Sequence, residues 1–394
     1  MIKTLNYIIL VFFIANSVAS QKINLSQGKI NQKSYYEEVN FELVMQKIII
    51  PVTINNNEYK FLLDTGAPNL ISNTVYEALK TSDKQNILIL DANNKSQEMS
   101  LVAVNSIKIN GLNFENTVAV LSDLNNHPLL KCFKIDGFIG SNLLQNSIVK
   151  ISLKNKKIIL TDDIRKLKTK AKPTKLKLVQ EQKSPFIELE LAGKNNVIAT
   201  EYALLDTGMD GFYDISNRAN AVFQKEEILT QIAQSSGVSG IGLFGVNDEK
   251  EQQLMQVNKM KINSTSFENI ITETTDDDNS RIGLDLLKYG DIIIDFKNKK
   301  FYFEAENDIT LNEKPPVIST SFKDNKIIVG HVWNKEYQKE INFGDEIIRL
   351  NNYNFKEMNI CDIMSARQII KSNPSYEMEI LRKDNTTFIL KIEN

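Results

Sequence analysis

The chain repeats itself once, and this repeat limits the folds it can adopt more than any other feature. The segment at 140–160, GSNLLQNSIVKISLKNKKIIL, aligns without gaps with 283–303, GLDLLKYGDIIIDFKNKKFYF. Further upstream, Leu-Leu-Asp-Thr-Gly at 62–66 recurs at 204–208. Long copies in the same order indicate a duplication that gives two lobes, each able to bury its own core, rather than a solenoid of short repeats.

Both copies have the pattern of β-strands. Apolar, β-branched runs at Lys47–Ile54 and Lys60–Leu63 flank consecutive asparagines, which favour a hairpin turn, and Ile187–Leu191 begins the same pattern in the second copy. Helices are predicted at two places in the copies, 74–80 and 219–233. The two lobes are therefore predicted to be rich in strands and poor in helices.

The N-terminus has the layout of a secretory signal peptide. Lys3 precedes a nearly apolar run at 7–15, and small residues follow up to Ser20. The run is shorter than the ~20 apolar residues that span a bilayer. We therefore expect removal of residues 1–20 and export to the periplasm, the cell envelope or the outside of the cell. An anchor that is not cleaved is the alternative.

The charged residues, histidines and cysteines exclude several classes of function. The 47 Lys and Arg nearly balance the 49 Asp and Glu, so the net charge does not favour a nucleic-acid partner. The two histidines, His127 and His331, form no metal-binding cluster, and we expect neither a metal nor a cofactor. Cys132 and Cys361 are too few for a disulfide framework and are predicted to be buried, small apolar residues. The basic stretch 164–178 is predicted to be a solvated linker, with a nucleic-acid arm as the alternative.

The two Asp-Thr-Gly triplets contain the candidate catalytic residues. Asp64 and Asp206 each close an apolar strand, where a lone carboxylate would be costly to bury. Two carboxyl groups brought together can share one proton. The ionised member then takes a proton from a water molecule that attacks a carbonyl, while the protonated member polarises that carbonyl. The alternative interpretation of a single triplet is a turn with no catalytic role. The recurrence of the triplet within the repeat argues against that interpretation.

The motifs around the triplets resemble those of a known family. Leu-Leu-Asp-Thr-Gly-Ala at 62–67, followed by Ile-Gly-Ser-Asn-Leu-Leu at 139–144, resembles the retroviral-type, or retropepsin-like, aspartic peptidases. The second lobe keeps a similar pair of motifs but has Met209 where the family usually has Ala, Ser or Thr. The resemblance covers about Val44 to Glu304, and it points to exported bacterial peptidases with both lobes in one chain.

The resemblance implies a role for each motif. It implies an endopeptidase that hydrolyses peptide bonds with a water molecule activated between Asp64 and Asp206. It also implies a flap over the cleft, for which the candidates are Leu90–Glu98 and the glycine-rich Ser235–Gly245. The residues implied to support the catalytic pair or to form the flaps are Thr65, Gly66, Thr207, Gly208, Gly140, Gly283, Asp91, Asn93, Gly240 and Gly242. Because one chain supplies both triplets, we expect a monomer.

The residues after the triplets lead to an expectation for the pH dependence. Neither Ala67 nor Met209 has a hydroxyl group to donate to the adjacent carboxylate. A hydroxyl in that position, as in pepsin-like relatives, favours the charged form of the carboxyl group. The shared proton should therefore be held more tightly, and activity should peak at weakly acidic to near-neutral pH.

A third unit is predicted after the second lobe. The motif Gly-Asp-x-Ile that begins at Gly344 resembles part of the signature of PDZ domains, and a helix at Ile360–Lys371 and a hairpin at Tyr376–Ile392 fit the same outline. The segment Ile318–Lys326 has no glycine for a loop that binds a peptide carboxylate. A docking role is therefore as good an interpretation as the capture of a peptide strand.

The sequence as a whole predicts a mainly β chain with two homologous acid-protease β-barrel-like lobes and a small α+β PDZ-like domain. The lobes are predicted at 35–163 and 179–305, with the linker at 164–178 between them and the PDZ-like domain at 315–394. The predicted function is an aspartic endopeptidase that acts on peptides or proteins. The alternative is a lapsed peptidase that binds peptides or protein partners through the cleft and the PDZ-like domain.

Overall fold

The computed structural model describes residues 23–81, 84–193, 197–238, 240–246, 248–372 and 375–393. The predicted signal peptide, 1–20, lies outside this range. Strands make up most of the regular structure and are arranged in sheets of nine, fourteen, two and six strands. The prediction of a mainly β chain with two barrel-like lobes is confirmed.

The nine-stranded sheet belongs to the first lobe. Its strands are β1 (Lys29–Ile30), β3 (Glu42–Val44), β4 (Lys47–Ile54), β5 (Asn57–Leu63), β6 (Leu70–Ser72), β7 (Lys84–Leu90), β8 (Ser96–Ile109), β9 (Leu112–Ser122) and β10 (Gly137–Ile139). The asparagines between β4 and β5 form the predicted hairpin turn, with Asn55 and Asn56 at positive φ. The first triplet follows β5 directly.

The fourteen-stranded sheet contains the second lobe and also joins the two lobes. Its strands are β2 (Tyr36–Asn40), β11 (Ile148–Ser152), β12 (Lys157–Thr161), β13 (Thr174–Val179), β14 (Ser184–Ala192), β15 (Ile198–Leu205), β16 (Tyr213–Ser216), β17 (Leu229–Gly237), β20 (Lys250–Ile262), β21 (Thr265–Thr275), β22 (Arg281–Ile282), β23 (Asp291–Asp295), β24 (Lys300–Glu304) and β25 (Ile309–Thr310). Strand β11 of the first copy pairs with β23 of the second. Strand β13 lies in the basic stretch predicted to be a linker, and it pairs with β14 and β24.

The duplication seen in the sequence is also present in the topology. In the first lobe β5 pairs in parallel with β10, and in the second lobe β15 pairs in parallel with β22. The backbone N–H groups of Asp64 and Asp206 donate to the carbonyl oxygens of Ile139 and Ile282, at 3.0 and 2.8 Å. Each triplet is therefore fixed to the Ile-Gly motif of its own lobe.

Helices are few and short. The α-helices are α1 (Asn73–Leu79), α2 (Ser141–Leu144), α3 (Asn217–Lys225) and α4 (Ile360–Ser372), and 3-10 helices lie at Leu130–Phe133, Ile164–Leu167, Leu284–Lys288, Tyr337–Lys339 and Phe355–Glu357. The predicted helix 219–233 is wrong beyond Lys225, because residues from Leu229 onward pair with β20. Within the described ranges, no helix combines the length and the apolar character needed to cross a membrane.

The two lobes share a continuous hydrophobic core. Buried side chains of β4 and β8 in the first lobe pack into the same cluster as those of β14 and β20 in the second. Phe61, Phe114, Phe267 and Phe303 are among the fully buried members. Full burial of one such side chain stabilises the fold by about 1.5–3 kcal/mol. The core thus fixes the relative position of the two strands that carry the triplets.

The C-terminal part is a smaller unit of sheet and helix. A six-stranded sheet is formed by β26 (Ile318–Lys323), β27 (Lys326–Val332), β28 (Glu346–Leu350), β29 (Tyr353–Asn354), β30 (Ser375–Leu381) and β31 (Thr387–Glu393). Its core includes side chains of α4 and is contacted by Met45 and Leu129 of the first lobe. Trp333 packs with Ala233 and Leu254 of the second lobe. The unit therefore contacts both lobes.

The two cysteines form a disulfide bond, which corrects the prediction that they are merely buried apolar residues. Cys132, in the first lobe, and Cys361, in α4, are separated by 229 residues and their Cα atoms lie 5.0 Å apart. The packing of α4 against the 3-10 helix Leu130–Phe133 brings them together. The bond ties the C-terminal unit covalently to the first lobe.

Candidate active site

The two triplets meet through a reciprocal set of buried hydrogen bonds. The backbone N–H of Thr65 donates to the hydroxyl of Thr207, and the N–H of Thr207 donates to the hydroxyl of Thr65, both at 3.0 Å. The Thr65 hydroxyl donates to the carbonyl of Leu205, and the Thr207 hydroxyl to that of Leu63. Both threonines are almost fully buried. They cross-link the two strand ends.

This cross-link leads to a prediction for stability. Thr207→Val keeps the side-chain shape but removes the acceptor of the Thr65 N–H and the donor to the Leu63 carbonyl. An unpaired buried polar group costs about 1–3 kcal/mol. We expect urea titration to give a free energy of unfolding at least about 2 kcal/mol below that of the wild type. The control is Thr310→Val, at an exposed position of β25. If both variants lost the same small amount of unfolding free energy, the result would contradict a stabilising cross-link.

The carboxyl groups of Asp64 and Asp206 lie on either side of this cross-link. A Cβ atom placed on Gly66 would lie 2.6 Å from Cγ of Asp206, and one on Gly208 would overlap the carboxyl group of Asp64. Each carboxyl group therefore lies against the glycine of the other triplet. Only glycine leaves room for that approach.

Backbone donors bind one oxygen of each carboxyl group. Oδ1 of Asp64 accepts the N–H groups of Gly66 and Ala67, at 2.9 and 3.0 Å. Oδ1 of Asp206 accepts those of Gly208 and Met209, at 2.9 and 3.1 Å. The backbone rather than the side chain of Ala67 and Met209 makes this contact. Met209 therefore forms the same backbone hydrogen bond in the second lobe as Ala67 does in the first.

The glycines of the Ile-Gly motifs lie against the backbone that follows each triplet. A Cβ atom on Gly140 would overlap the backbone of Pro68 and Asn69, which follow the first triplet. A Cβ atom on Gly283 would lie 2.5 Å from the carbonyl oxygen of Gly211, which follows the second. Both glycines thus allow a close backbone crossing behind the carboxyl groups.

Arg281 contacts the second carboxyl group, and no pattern in the sequence indicated this contact. Its Nη1 atom lies 2.7 Å from Oδ2 of Asp206, and its Nη2 atom contacts Oδ2 of Asp277. The Arg281 side chain is 17% exposed, and those of the two aspartates 6% and 7%. Burial opposes the charge of the guanidinium, but the adjacent carboxylates raise its pKa above the ordinary value. The residue in the corresponding place of the first lobe is Phe138, which has no charge.

Lys47 is a second cation near the site that the sequence did not indicate. Its ammonium group binds the carbonyl oxygen of Gly208 and lies 2.6 Å from Oδ1 of Asp210. Lys47 belongs to β4 of the first lobe, whereas both partners belong to the second. The contact therefore joins the lobes directly behind the second triplet.

The environment favours a protonated Asp64. Burial, and then the negative charge of Asp206, raise the pKa of the Asp64 carboxyl well above its ordinary value, although Lys47, the Gly66 N–H and Arg281 act in the opposite direction. A carboxyl group with a raised pKa retains its proton at weakly acidic pH. The pair is therefore suited to hold one proton under those conditions.

The two flap candidates meet each other. Asp91 and Asn93 lie in the turn between β7 and β8, and Gly242 lies in a short hairpin formed by β18 (Ile241–Gly242) and β19 (Gly245–Val246). The N–H of Phe244 donates to Asp91 at 2.9 Å, and Asn93 donates to the carbonyl of Gly245 at 3.0 Å. A Cβ atom on Gly242 would overlap the Asp91 carboxylate.

The second hairpin also approaches the first triplet. Leu243 packs against the same apolar cluster as Ala67, which directly follows that triplet. Gly240, the fourth flap candidate, precedes β18. The contacts therefore bring together Asp91, Asn93 and Gly242 and connect them with the region of the carboxyl pair.

Comparison with known proteins gives a family match within the first lobe. Residues 50–143 match the model of a family described as aspartyl protease. The match contains the first triplet and Gly140. Over these residues the chain is similar to that family. No curated protein sequence matches it.

Solved structures that are similar to this chain include three with low sequence identity. Conglutin gamma, a basic 7S globulin from lupine seeds, is 12% identical with a TM-score of 0.43, over 70% of this chain and 96% of that one. An aspartic proteinase from Irpex lacteus is 12% identical with a TM-score of 0.42, over 69% and 97%. A retropepsin-like aspartic protease from Rickettsia conorii is 18% identical with a TM-score of 0.25, over 33% and 94%.

Proposed function

We propose that this chain is an aspartic endopeptidase that hydrolyses peptide bonds in peptides or proteins. The observation that carries the proposal is the meeting of Asp64 and Asp206, each against the glycine of the other triplet and each with one oxygen bound by two backbone N–H groups. Two buried carboxyl groups in such proximity hold one proton between them. One acid and one base at the same place are what hydrolysis of an amide requires.

The proposed reaction uses water and these two groups alone. The ionised carboxylate accepts a proton from a water molecule, whose oxygen bonds to the carbon of the scissile carbonyl. The protonated carboxyl group transfers its proton to the carbonyl oxygen, which gives a tetrahedral intermediate. The proton taken from water then passes to the leaving nitrogen as the C–N bond breaks, and a hydroxyl proton of the intermediate returns to the other carboxylate as the carbonyl re-forms. The pair ends with one proton again.

The surroundings of the first triplet support a preference for apolar substrate side chains. Ala67, Leu243 and Met364 are partly buried and pack against a cluster that includes Phe138. They come from the position after the first triplet, the second flap candidate and helix α4, respectively. An apolar side chain beside the scissile bond would gain about 25 cal/mol for each Å² of apolar surface it buried there.

The disulfide bond supports the proposal that the protein is exported. Disulfide bonds persist in oxidising compartments and are rare in the cytosol of most organisms. The Cys132–Cys361 bond is therefore consistent with the secretory signal predicted at 1–20. We propose a location in the periplasm, in the cell envelope or outside the cell.

For the C-terminal unit we propose a docking role. Its resemblance to PDZ domains rests on the Gly-Asp-x-Ile motif, in which Gly344 has a positive φ of 85°. Its contacts with both lobes, through Met45 and Trp333, support a unit that is an integral part of the peptidase. Met364 of α4 brings it close to the first triplet as well.

Cleavage of an unbiased peptide library tests the proposed function. Mass spectrometry of the products should show internal cleavage, with apolar residues enriched next to the cut bond. Pepstatin, which blocks aspartic peptidases, should suppress it. Peptides that bind and remain uncut from weakly acidic to neutral pH would contradict the proposal and favour a binding protein of the same fold.

The proposed monomer gives a prediction on dilution. Both triplets belong to one chain, and their cross-link through Thr65 and Thr207 is intramolecular. The rate of cleavage per molecule should stay constant over a hundredfold dilution, and light scattering should give the mass of one chain. A specific activity that falls on dilution and returns on concentration would contradict the proposal.

A further inference from the structure

We propose that Arg281 is a positioning residue that keeps Asp206 as the carboxylate and leaves the shared proton on Asp64. The inference rests on the proposed peptidase function and deepens it, because it assigns the roles of base and acid. Asp206 accepts the proton of the attacking water, and Asp64 protonates the carbonyl oxygen. Arg281 acts on the reaction only through Asp206.

The contacts of the two carboxyl groups differ in one respect. Oδ1 of each accepts two backbone N–H groups. Oδ2 of Asp206 also accepts Nη1 of Arg281 at 2.7 Å. In the part of the chain that the structure describes, Asp64 makes no ion pair. A guanidinium bound to a largely buried carboxylate favours its ionised form, and the second carboxyl group is then left with the proton.

A second partner fixes the direction of the Arg281 side chain. Its Nη2 atom binds Asp277, four residues earlier in the chain and 7% exposed. The guanidinium is therefore held between two carboxylates. In the first lobe the equivalent residue is Phe138, and this difference breaks the twofold symmetry of the pair. The assignment of acid and base follows from that asymmetry.

Other charged groups near the pair lie on several elements. Lys47 of β4 is paired with Asp210, which follows the second triplet. The negative charge of Asp214 in β16 raises the pKa of Arg281. The negative charge of Asp210 likewise opposes the lowering of the pKa of Arg367, in α4, by burial. Among the cations in the described ranges, Arg281 is the one with an ion pair to a carboxyl group of the dyad.

The pair therefore has a side-chain donor other than the hydroxyl groups considered from the sequence. Ala67 and Met209 donate only through their backbones, as expected. Asp206 nevertheless receives a side-chain donor, which comes from β22 and carries a full charge. A permanent cation stabilises every ionised form of the pair, so it moves both ionisations to lower pH.

Replacement of Arg281 should move the pH profile without changing its shape. In Arg281→Gln, both limbs of the kcat/KM profile should shift to higher pH by about 1 unit or more, because the pair loses its cation. Arg281→Lys keeps the charge, and its limbs should lie closer to those of the wild type. Arg218→Gln is the matched control: Arg218 is exposed and contacts the backbone of Asp278 in the same region. Its profile should be unchanged.

Asp277→Asn should shift the pH profile in the opposite direction. The amide oxygen can still accept Nη2 of Arg281, but a negative charge near the pair is removed. The limbs should then move to lower pH. A purely structural role of Arg281 would instead lower the rate in both variants and leave the limbs in place, and that result would overturn the inference.

A measurement without turnover separates this inference from the proposed function. Carboxyl ¹³C shifts of Asp64 and Asp206 can be assigned by comparison with Asp64→Asn and Asp206→Asn. At a pH where the Asp206 carbon already has the shift of a carboxylate, the Asp64 carbon should keep that of an acid, and Arg281→Gln should reduce this difference. A protein that shows this order but cleaves no peptide would refute the proposed function alone. Equal titration of the two carbons in the wild type would refute the inference alone.

Discussion

Asp64→Asn and Asp206→Asn should each lower kcat/KM for peptide cleavage by about 10³-fold or more. The reaction needs one carboxylate and one carboxylic acid, and general acid and base catalysis each contribute about 10²–10⁴-fold. Asparagine keeps the shape of the side chain but can neither accept the proton of water nor deliver one. The measurement is the initial rate on a peptide identified from the library, at the pH optimum of the wild type.

The matched control for both variants is Asp278→Asn. Asp278 is exposed and lies one residue from the partner of Arg281, so its loss should leave the rate within about twofold of the wild type. Near-normal cleavage by either active-site variant would refute the mechanism that needs two aspartates.

The stabilities of the two active-site variants should differ. Asp64→Asn removes a carboxyl group whose ionisation is opposed by burial and by the charge of Asp206, so this variant should unfold at the same urea concentration as the wild type or a higher one. Asp206→Asn removes one of the two carboxylates that hold Arg281. It should lose about 1–3 kcal/mol of unfolding free energy. The ion pair that causes this loss is not evident from the sequence.

The features that could be predicted from the sequence are those that both copies of the repeat carry. The triplets, and the glycines at 140 and 283, occur at matching places, and the topology of one lobe repeats in the other. A repeated motif at the end of a repeated strand implies a shared backbone position. For this reason the meeting of Asp64 and Asp206 followed from local sequence.

Arg281 could not be predicted, because the two copies of the repeat differ at its position. It occupies a position at which the first copy has the apolar Phe138, so the repeat gave no motif there. A charge in a short buried strand, where the other copy has an aromatic ring, was the available signal. Which carboxylate its long side chain reaches depends on tertiary structure and could not be read from spacing.

The helix predicted at 219–233 failed because of tertiary structure. Its first part is α3, capped by Ser216. From Leu229 the chain enters β17, whose partner β20 supplies backbone hydrogen bonds along its length. Long-range pairing of this kind overrides local helix preference. The first copy offered a guide, because α1 is likewise followed by a hairpin, β7–β8.

The disulfide bond also depends on long-range structure, and breaking it gives the second large effect that we expect. Cys132→Ser combined with Cys361→Ser should lower the free energy of unfolding by about 2–4 kcal/mol. The bond closes a loop across 229 residues, so it restricts the unfolded chain strongly. Without it, the C-terminal unit is held to the first lobe only by contacts such as those of Met45 and Leu129.

The single tryptophan reports on this change. Trp333 is 2% exposed, donates to Ser319 at 2.7 Å and packs against Ala233 and Leu254 of the second lobe. Its fluorescence should shift to longer wavelength when the C-terminal unit leaves that surface. In the double variant this shift should occur at a lower urea concentration than in the wild type. A reducing agent should lower the wild-type midpoint to the same value and leave the variant unchanged, since the variant has no thiol. Equal midpoints for the wild type and the variant under oxidising conditions would show that the contacts of the C-terminal unit suffice without the covalent bond.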